Sequence, residues 1–488
     1  MTTKNGYPSV NAVKLSLAFC VGGVIAVTGI EGSPARAARA PATPSHAAAQ
    51  AAGLRALHLC SGYFNTQAPR TLTDATVAAD APEPASDAPT PVVDETAHKV
   101  SVPFASGLPP RQAVSRPGAG CTLLPIGADG SLGAPLADLS LSAPDLDHMA
   151  WPQGDVGAAS PLPQPRKAAI DRLLAQVFAN EQGAYGGQSW GIVVVSKGKI
   201  VAEDYRLGYG PHIAARTNSM CKSLGATVVG VGVRKGLLNL ASKAPLKEWQ
   251  MPGDPRGSIT LDNLLHMSSG LYSDGAQDPQ TEIYQSGAAI SEIAALNMMD
   301  SAPGQRFVYA GTDNNLATRA LRQAIGNDDT FARFPYQELL WKIGMTRTIV
   351  EADWKGDLIT SGQCWSTARD FARLGLLYLA DGVWNGQQLL PAEWSHYVRT
   401  PAPAQPVKPS IGGEAGYGAQ FWLFGGIEAL PADSFAAFGA RGQYAVIVPS
   451  HDLVVVRRGF DRQSDFKIQR FVADIIAALD NQKARLVQ

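Results

Sequence analysis

The residues with the clearest chemical potential are Ser219 and Lys222, which form an S-x-x-K tetrapeptide. Apolar residues recur at helical spacing from Thr217 to Leu240, so the segment predicts a helix that starts near Ser219. Side chains three positions apart share a helix face, which would place the serine hydroxyl beside the lysine amine. A serine becomes a nucleophile when a neighbouring base takes its proton, and burial can lower a lysine pKa enough for that task. The pair therefore suggests acyl transfer, with helix-start N–H groups stabilising the oxyanion.

The same four residues also have an ordinary interpretation. Ser219 would then be an N-terminal helix residue and Lys222 a solvated charge. Short motifs of this kind occur by chance in many chains. The surrounding sequence has to decide between the two interpretations.

The sequence also predicts the helices and strands that would position Ser219 and Lys222. Helical periodicity marks Ala168–Ala179, most of Ile259–Leu390 and Phe466–Leu479. Five segments read as strands, the first two joined by a Ser196–Lys199 turn and the last two by Pro449–Asp452. These strands are Ser189–Val195, Ile200–Tyr205, Tyr417–Phe424, Gln443–Val448 and Leu453–Arg458. Strands at both ends and helices between them predict an α+β fold, in which helices flank one antiparallel sheet and a helical subdomain is inserted.

The first third of the 488-residue chain indicates export. Residues 1–40 contain Lys4 and Lys14, an apolar run from Leu15 to Ile30 and then small residues, the pattern of a signal peptide. The alternative is an uncleaved membrane anchor. We therefore expect a periplasmic or secreted protein, with no membrane span beyond that segment.

Residues 41–165 are interpreted as an N-terminal extension that packs against a main domain at 166–488. Two Ala- and Pro-rich stretches, 31–52 and 78–96, are expected to lack fixed structure. No residue of the extension suggests chemistry.

Export would permit disulfides, and the chain has five cysteines. Cys60 and Cys121 are the best candidates for a bridge, with two free thiols as the alternative. Cys221 and Cys364 lie in apolar surroundings and are interpreted as small buried residues.

Composition and motifs exclude several other functions. The formal net charge is −1 and no long basic run occurs, which does not favour nucleic-acid binding. The chain has no G-x-S-x-G elbow, no H-E-x-x-H and no paired Cys-x-x-Cys, so we expect no α/β-hydrolase site, no metal and no cofactor. Gly230-Val231-Gly232 lacks the spacing of a dinucleotide loop and is interpreted as a site of close helix packing.

The chain contains four notable phrases in this order: Ser219–Ser223, Leu264–Leu271, Pro303–Tyr309 and Val448–Val456. Together they resemble the serine β-lactamase-related hydrolases. That group includes class C β-lactamases, DD-peptidases, esterases and aminohexanoate-oligomer hydrolases. The resemblance runs from about Ala168 to Leu479.

The resemblance implies roles for individual residues. Ser219 would be the acylated nucleophile, Lys222 its general base and Tyr309 a partner in proton transfer. The backbone N–H groups of Ser219 and Gln443 would bind the oxyanion. The third motif of the family would fall at Ala440-Arg441-Gly442, which makes Arg441 and Gly442 candidate substrate-binding residues. For Arg441, a rim or structural charge is the preferred interpretation, because exposed arginines are common.

Two departures from the family pattern affect the expected substrate. Gly311 stands where the Tyr-x-Asn motif has its asparagine, and Asn314 or Asp313 could take over those hydrogen bonds. Ala440 stands where relatives carry a lysine or histidine that binds the β-lactam carboxylate. We therefore expect a small-molecule ester or amide substrate, the alternatives being a β-lactamase or DD-peptidase, or a binding protein that has lost turnover.

Overall fold

The computed structural model describes residues 44–66, 68–80, 90–128, 132, 141–160, 162–179, 183–273, 286–410, 412–462 and 466–480. All of them belong to one compact unit that begins at Thr43. The signal-peptide prediction for residues 1–40 lies outside this range. Within it, no helix combines the length and apolar character needed to cross a membrane.

A seven-stranded antiparallel sheet forms the centre of the molecule, in the order β12-β13-β14-β15-β16-β5-β6. Strands from both ends of the domain meet where β16 pairs with β5, for example Val456 with Val193. The predicted α+β architecture is therefore confirmed. The sheet strands are β5 Ser189–Ser196, β6 Lys199–Tyr205, β12 Gly416–Tyr417, β13 Trp422–Leu423, β14 Phe435–Gly439, β15 Gln443–Val448 and β16 Leu453–Gly459.

Helices cover both faces of this sheet. Alternate side chains of a strand point to opposite faces, so Val193 and Val195 join one hydrophobic core while Ile192 and Val194 join another. Helices α3 and α11 pack on the second face, and α4 and α9 on the first, with α7 packed against α4. The helices are α1 Pro44–Phe64, α2 Arg70–Asp80, α3 Arg166–Val177, α4 Met220–Arg234, α5 Leu261–Leu265, α6 Ile290–Ala295, α7 Gly311–Ile325, α8 Asp328–Pro335, α9 Ala368–Leu379, α10 Trp394–Arg399 and α11 Ile468–Leu479.

The predicted helical subdomain is present between residues 259 and 390, with short strands that the sequence pattern did not reveal. A three-stranded sheet, β7-β9-β8, links this part to the segment before Ser219. These strands and one small hairpin are β7 Ala215–Arg216, β8 Ile349–Val350, β9 Cys364–Ser366, β10 Val383–Trp384 and β11 Gln387–Gln388.

Two predictions about the main sheet need correction. The strand predicted over Tyr417–Phe424 is broken into β12 and β13 by a turn closed by Gly418 N–H and the Phe421 carbonyl at 2.9 Å. Strand β14 was not predicted at all. Its residues Phe-Ala-Ala-Phe-Gly are buried on both faces, so they carry none of the alternation that marks a half-exposed strand.

The N-terminal extension is an ordered layer of helices and strands. Strands β1 Val92–Asp94, β2 Lys99–Val102, β3 Arg111–Arg116 and β4 Gly120–Leu123 form an antiparallel sheet covered by α1. The expected disorder is wrong for residues 44–52, which start α1, and for residues 78–80 and 92–94, which belong to α2 and β1. Alanine is the best helix former, so an Ala-rich composition suits a helix that packs closely, as Ala52 and Ala56 do here. Residues 31–43 and 81–89 lie outside the described range.

Among the contacts between the extension and the main domain is a buried carboxylate. Glu351 accepts hydrogen bonds from the Ser61 hydroxyl at 2.5 Å, the Asn65 amide at 2.7 Å and the Cys121 backbone N–H at 3.0 Å. The predicted Cys60–Cys121 disulfide is confirmed and lies beside this contact. Burial raises the pKa of Glu351 to about 7, and the three donors oppose that rise.

Candidate active site

Most of helix α4 is buried, and hydrogen bonds to strand β9 hold the residues at its start. The Thr217 backbone N–H and hydroxyl both donate to the Cys364 carbonyl of β9, at 2.9 and 3.1 Å. Asn218 then turns the chain with a φ of +49°, and Ser219 is the residue from which α4 begins. The next three backbone N–H groups, those of Met220, Cys221 and Lys222, donate to the Thr217, Asn218 and Ser219 carbonyls at 3.3, 3.1 and 3.0 Å.

Lys222 lies one turn further along α4 and faces Ser219. Its Nζ is 3.1 Å from Ser219 Oγ and donates to the Ser361 carbonyl at 2.6 Å. The side chain is 5% exposed, and burial lowers its pKa to about 7. The interpretation of Lys222 as a solvated charge is therefore wrong. An amine with that pKa is substantially neutral near pH 7 and can accept a proton.

Tyr309 completes a three-residue arrangement with this pair. Its hydroxyl shares a hydrogen bond with the Ser219 side chain, and the Lys222 Nζ lies 4.8 Å from the centre of its ring. The ring packs against Trp422 and Tyr417, with centroid distances of 5.4 and 5.9 Å. Burial raises the pKa of Tyr309 to about 12 while the Ser219 hydrogen bond lowers it. The phenol thus keeps its proton where Lys222 readily loses one.

Three successive polar residues at the start of α7 support the site from behind. Asn314 Nδ2 donates to the Lys222 carbonyl at 3.1 Å and to Gln420 Oε1 at 3.0 Å. Asn315 Oδ1 accepts from the Ser361 N–H at 3.0 Å, which fixes the carbonyl that holds Lys222. Asp313 instead accepts from the Ser269 hydroxyl at 2.7 Å.

These contacts show what Asn314 and Asp313 do in a chain that lacks the family asparagine at Gly311. Asn314 contacts the nucleophile-bearing helix, and Asp313 braces a loop. The contributions of Asn315, Ser361 and Gln420 were not predicted. A run of buried polar residues directly after Tyr309 was the available signal, but their partners lie far away in sequence.

The third motif approaches Ser219 through a different glycine from the one expected. A Cβ on Gly439, the last residue of β14, would lie 3.0 Å from the Ser219 nitrogen and 2.4 Å from the Thr217 oxygen. Gln443 faces Gly439 from the neighbouring strand β15. The Asn218 side chain donates to the Ala440 carbonyl at 3.0 Å. The structure therefore brings Gly439 and Ala440 to the start of α4 and places Gln443 one strand away.

The two predicted substrate-binding residues lie on the turn between β14 and β15. Gly442 faces an internal ion pair, because a Cβ there would lie 1.7 Å from Arg457 Nη1 and 2.2 Å from Asp461 Oδ2. Arg441 is half-buried, has a φ of +63° and donates to the Phe460 carbonyl at 3.4 Å. It also lines a cavity beside Asn218.

Cys221 and Cys364 are joined in a disulfide, which was not predicted. Both are fully buried, as expected. No local pattern predicts the pairing, because α4 and β9 are adjacent only in the folded protein.

Among the described residues, one group has the composition of a metal site. Oxygen and nitrogen atoms of Asp147, Asp155 and His212 lie within 4.8 Å of one another. Each carboxylate already pairs with an arginine, Asp147 with Arg347 and Asp155 with Arg373, both at 2.6 Å. These arginines satisfy the negative charge that a cation would need, so the group is an ion-pair cluster.

Comparison with known proteins places this geometry in a family. Residues 170–458 match the family model described as Beta-lactamase. The chain belongs to the beta-lactamase family. Its matched segment spans the sheet, the S-x-x-K helix and Tyr309, and leaves out the N-terminal extension.

Relatives of this beta-lactamase family protein include hydrolases of different kinds. A 6-aminohexanoate-dimer hydrolase of Paenarthrobacter ureafaciens is 24% identical over 310 residues, which cover 59% of this chain and 76% of that protein. The crystal structure of a family VIII carboxylesterase has a TM-score of 0.51 at 16% identity and covers 65% of this chain and 97% of its own. A penicillin-binding protein homologue from Pyrococcus abyssi has a TM-score of 0.50 at 17% identity, covering 65% and 78%. The structural matches establish the fold, and beta-lactamase family members are serine hydrolases.

Proposed function

We propose that the protein is a serine hydrolase that cleaves an ester or a small amide through an acyl-enzyme on Ser219. The observation that carries this proposal is the 3.1 Å separation of Lys222 Nζ from Ser219 Oγ in a buried setting. A buried amine without a nearby carboxylate partner is costly as a charge, so the arrangement favours a neutral base next to a hydroxyl.

In the acylation step, Ser219 Oγ attacks the carbonyl carbon and Lys222 accepts the Ser219 proton. A new C–O bond forms to Ser219, and the bond to the leaving group then breaks. Tyr309 hands its proton to the leaving group and is reprotonated from Lys222, so the proton lost by Ser219 departs with the product. Attack by water on the ester carbonyl, with the same groups moving the proton in reverse, releases the acid.

The oxyanion donors proposed here are the backbone N–H groups of Ser219 and Ala440. The close approach of Gly439 to Ser219 supports this choice over Gln443, since a donor must lie within about 3 Å of the developing charge. The hydrogen bond from Asn218 to the Ala440 carbonyl would fix the orientation of that segment.

The residues at the end of β14 also favour an ester or a small amide over a β-lactam as the substrate. If Gly439 is the glycine of the third motif, Ala437 is its first residue; if Gly442 is, Ala440 is. In either register an alanine stands where a carboxylate-binding lysine or histidine would be needed. The intact Ser219–Lys222–Tyr309 geometry speaks against a protein that only binds.

Export to an oxidising compartment remains part of the proposal. Two disulfides, Cys60–Cys121 and Cys221–Cys364, fit such a location, because cytosolic thiols are normally kept reduced.

The test is turnover of p-nitrophenyl butyrate by the purified protein, with intact-mass detection of the acylated enzyme. Ser219→Ala should abolish both the burst of p-nitrophenol and the mass increase. Ser450→Ala, a matched change at an exposed turn, should leave both unchanged. Equal turnover by the Ser219→Ala and wild-type proteins would refute the assignment.

A further inference from the structure

A cavity of about 30 Å³ lies between the N-terminal extension and the main domain. Its walls come from α1 and α2 on one side, and from the ends of β5, β7, β9 and β16 on the other. Asn218, the neighbour of the nucleophile, and Arg441 both line it. The cavity therefore adjoins the site without including Ser219, Lys222 or Tyr309.

Three buried ring nitrogens on its walls have no hydrogen-bond partner in the part of the chain that the structure describes. His58, Trp190 and Trp365 are 3%, 1% and 6% exposed, and His58 Nε2, Trp190 Nε1 and Trp365 Nε1 are each without a partner among the described residues. Indole nitrogens can only donate. Buried polar groups are nearly always satisfied, so three such atoms around one space indicate that an acceptor occupies it in the working protein.

The charges at the cavity have one sign. Arg216 and Arg441 line it, and none of the described lining residues is acidic. Burial, followed by the charges of Arg216 and Arg441, holds the pKa of His58 well below its ordinary value, so this imidazole is neutral and able to donate. Asp461 and Glu351 interact electrostatically with Arg441 and Arg216 from outside the lining, and Asp461 also pairs with Arg457.

The position of the cavity indicates whether the acyl group or the leaving group of the substrate binds there. The leaving group has to lie near Tyr309, which delivers its proton in the proposed mechanism. Because the cavity is bounded by Asn218 and Arg441 and not by Tyr309, it lies on the acyl side. The cavity volume of about 30 Å³ holds about two water-sized groups, which matches the two oxygens of a carboxylate.

We propose that this cavity is a subsite for a carboxylate at the far end of the substrate's acyl group. The preferred substrates are thus monoesters or monoamides of dicarboxylic acids. This inference rests on the proposed function. The N-terminal extension supplies His58 and one wall of the subsite, which gives it a role in specificity.

The first experiment compares p-nitrophenyl monoesters of succinate, glutarate and adipate with p-nitrophenyl alkanoates of the same chain length. A charge-assisted hydrogen bond is worth roughly a factor of ten or more. We expect kcat/KM at least tenfold higher for one of the acidic esters than for its neutral match. Turnover of the neutral esters with no such preference would overturn the subsite while leaving the proposed function standing.

Variants then test whether the cavity residues cause the preference for acidic over neutral esters. Arg441→Gln and Trp365→Phe, which removes one N–H and keeps an aromatic ring, should each lower the acidic-to-neutral ratio of kcat/KM severalfold. Arg462→Gln removes the same charge from an exposed neighbour that does not line the cavity, and should leave the ratio unchanged. A ratio that falls equally in Arg462→Gln would attribute it to general electrostatics and overturn the proposal.

A binding measurement separates the two proposals if no ester is turned over. Free glutarate should raise the melting temperature of the full-length Ser219→Ala protein, and 1,5-pentanediol should not. Failure of catalysis with this shift present refutes only the hydrolase. Absence of both the shift and the substrate preference refutes the subsite, and water then fills the cavity.

Discussion

The amine of Lys222 lies 3.1 Å from the hydroxyl of Ser219, and no carboxylate contacts either group among the described residues. Within the described ranges, the other hydrogen bond of that amine is to the Ser361 carbonyl at 2.6 Å. Buried amines of this kind lose their proton near neutral pH, which makes the relationship between the two residues directly testable.

Replacing the base while keeping its charge should stop catalysis. Lys222→Arg retains a cation, but a guanidinium does not deprotonate in a protein. We expect kcat/KM for p-nitrophenyl butyrate to fall by about 10³-fold or more, as when other nucleophile–base pairs lose one member. Lys342→Arg, at a partly exposed turn position, is the matched control. Retention of a tenth of the wild-type rate in Lys222→Arg would contradict the role of Lys222.

The pH dependence of activity should follow the same amine. The neutral form of Lys222 increases as pH rises through its pKa of about 7, so kcat/KM should rise between pH 6 and pH 8 and then level off. The measurement is a pH profile with an uncharged ester. A profile that is flat from pH 5 to pH 9 would show that no such group controls the reaction.

Tyr309 should matter most when the leaving group needs a proton. Tyr309→Phe keeps the ring against Trp422 and removes the hydroxyl. We expect a large fall in kcat for an alkyl ester or anilide, and a much smaller one for a p-nitrophenyl ester, whose phenolate leaves unaided. The ratio of the two losses is the readout. Equal losses for both substrates would assign Tyr309 a purely structural role.

Gly439 should tolerate no side chain. A Cβ there would lie 2.4 Å from the Thr217 carbonyl, a backbone atom that cannot move without shifting Ser219. Gly439→Ala should therefore reduce kcat strongly, and acylation of Ser219, followed by mass, should slow in parallel. Gly210→Ala, where a Cβ meets nothing within 4 Å, serves as the control. Normal acylation of Gly439→Ala would mean that β14 does not contribute to the oxyanion site.

The folded protein should lose stability as pH rises through the pKa of Glu351. The pKa of Glu351 is raised in the folded protein, from 4.5 to about 7, so the folded state holds a proton that the unfolded chain has released. That contribution to stability is fully present below pH 4.5 and is lost as pH rises through 7. Glu351→Gln removes the titration and keeps an acceptor for the Cys121 N–H.

The measurement for Glu351 is the difference in melting temperature between wild type and Glu351→Gln from pH 4.5 to pH 8. Wild type should lose stability relative to the variant across this range. A constant difference would show that Glu351 does not titrate there.

Local patterns predicted much of the fold. The strands at Ser189–Ser196, Gln443–Val448 and Leu453–Gly459 and the helix after Ser219 follow from periodicity and turn residues within each segment. The first Ala-rich stretch and strand β14 could not be recognised in this way. For both, tertiary packing of small apolar residues decides the structure, and their composition alone fits several outcomes.

The sequence by itself determined that Ser219 and Lys222 share a face, because their spacing fixes it in any helix, and that Tyr309 belongs with them, because its phrase is shared with a family. Only the tertiary structure decided which backbone glycine reaches Ser219, which residues hold Lys222 in place, and which cysteine faces Cys221. The physical reason is the range of the interactions. A helix turn is set by neighbours a few residues away, whereas a buried charge, a close backbone approach and a cavity are made by segments that meet only when the chain packs.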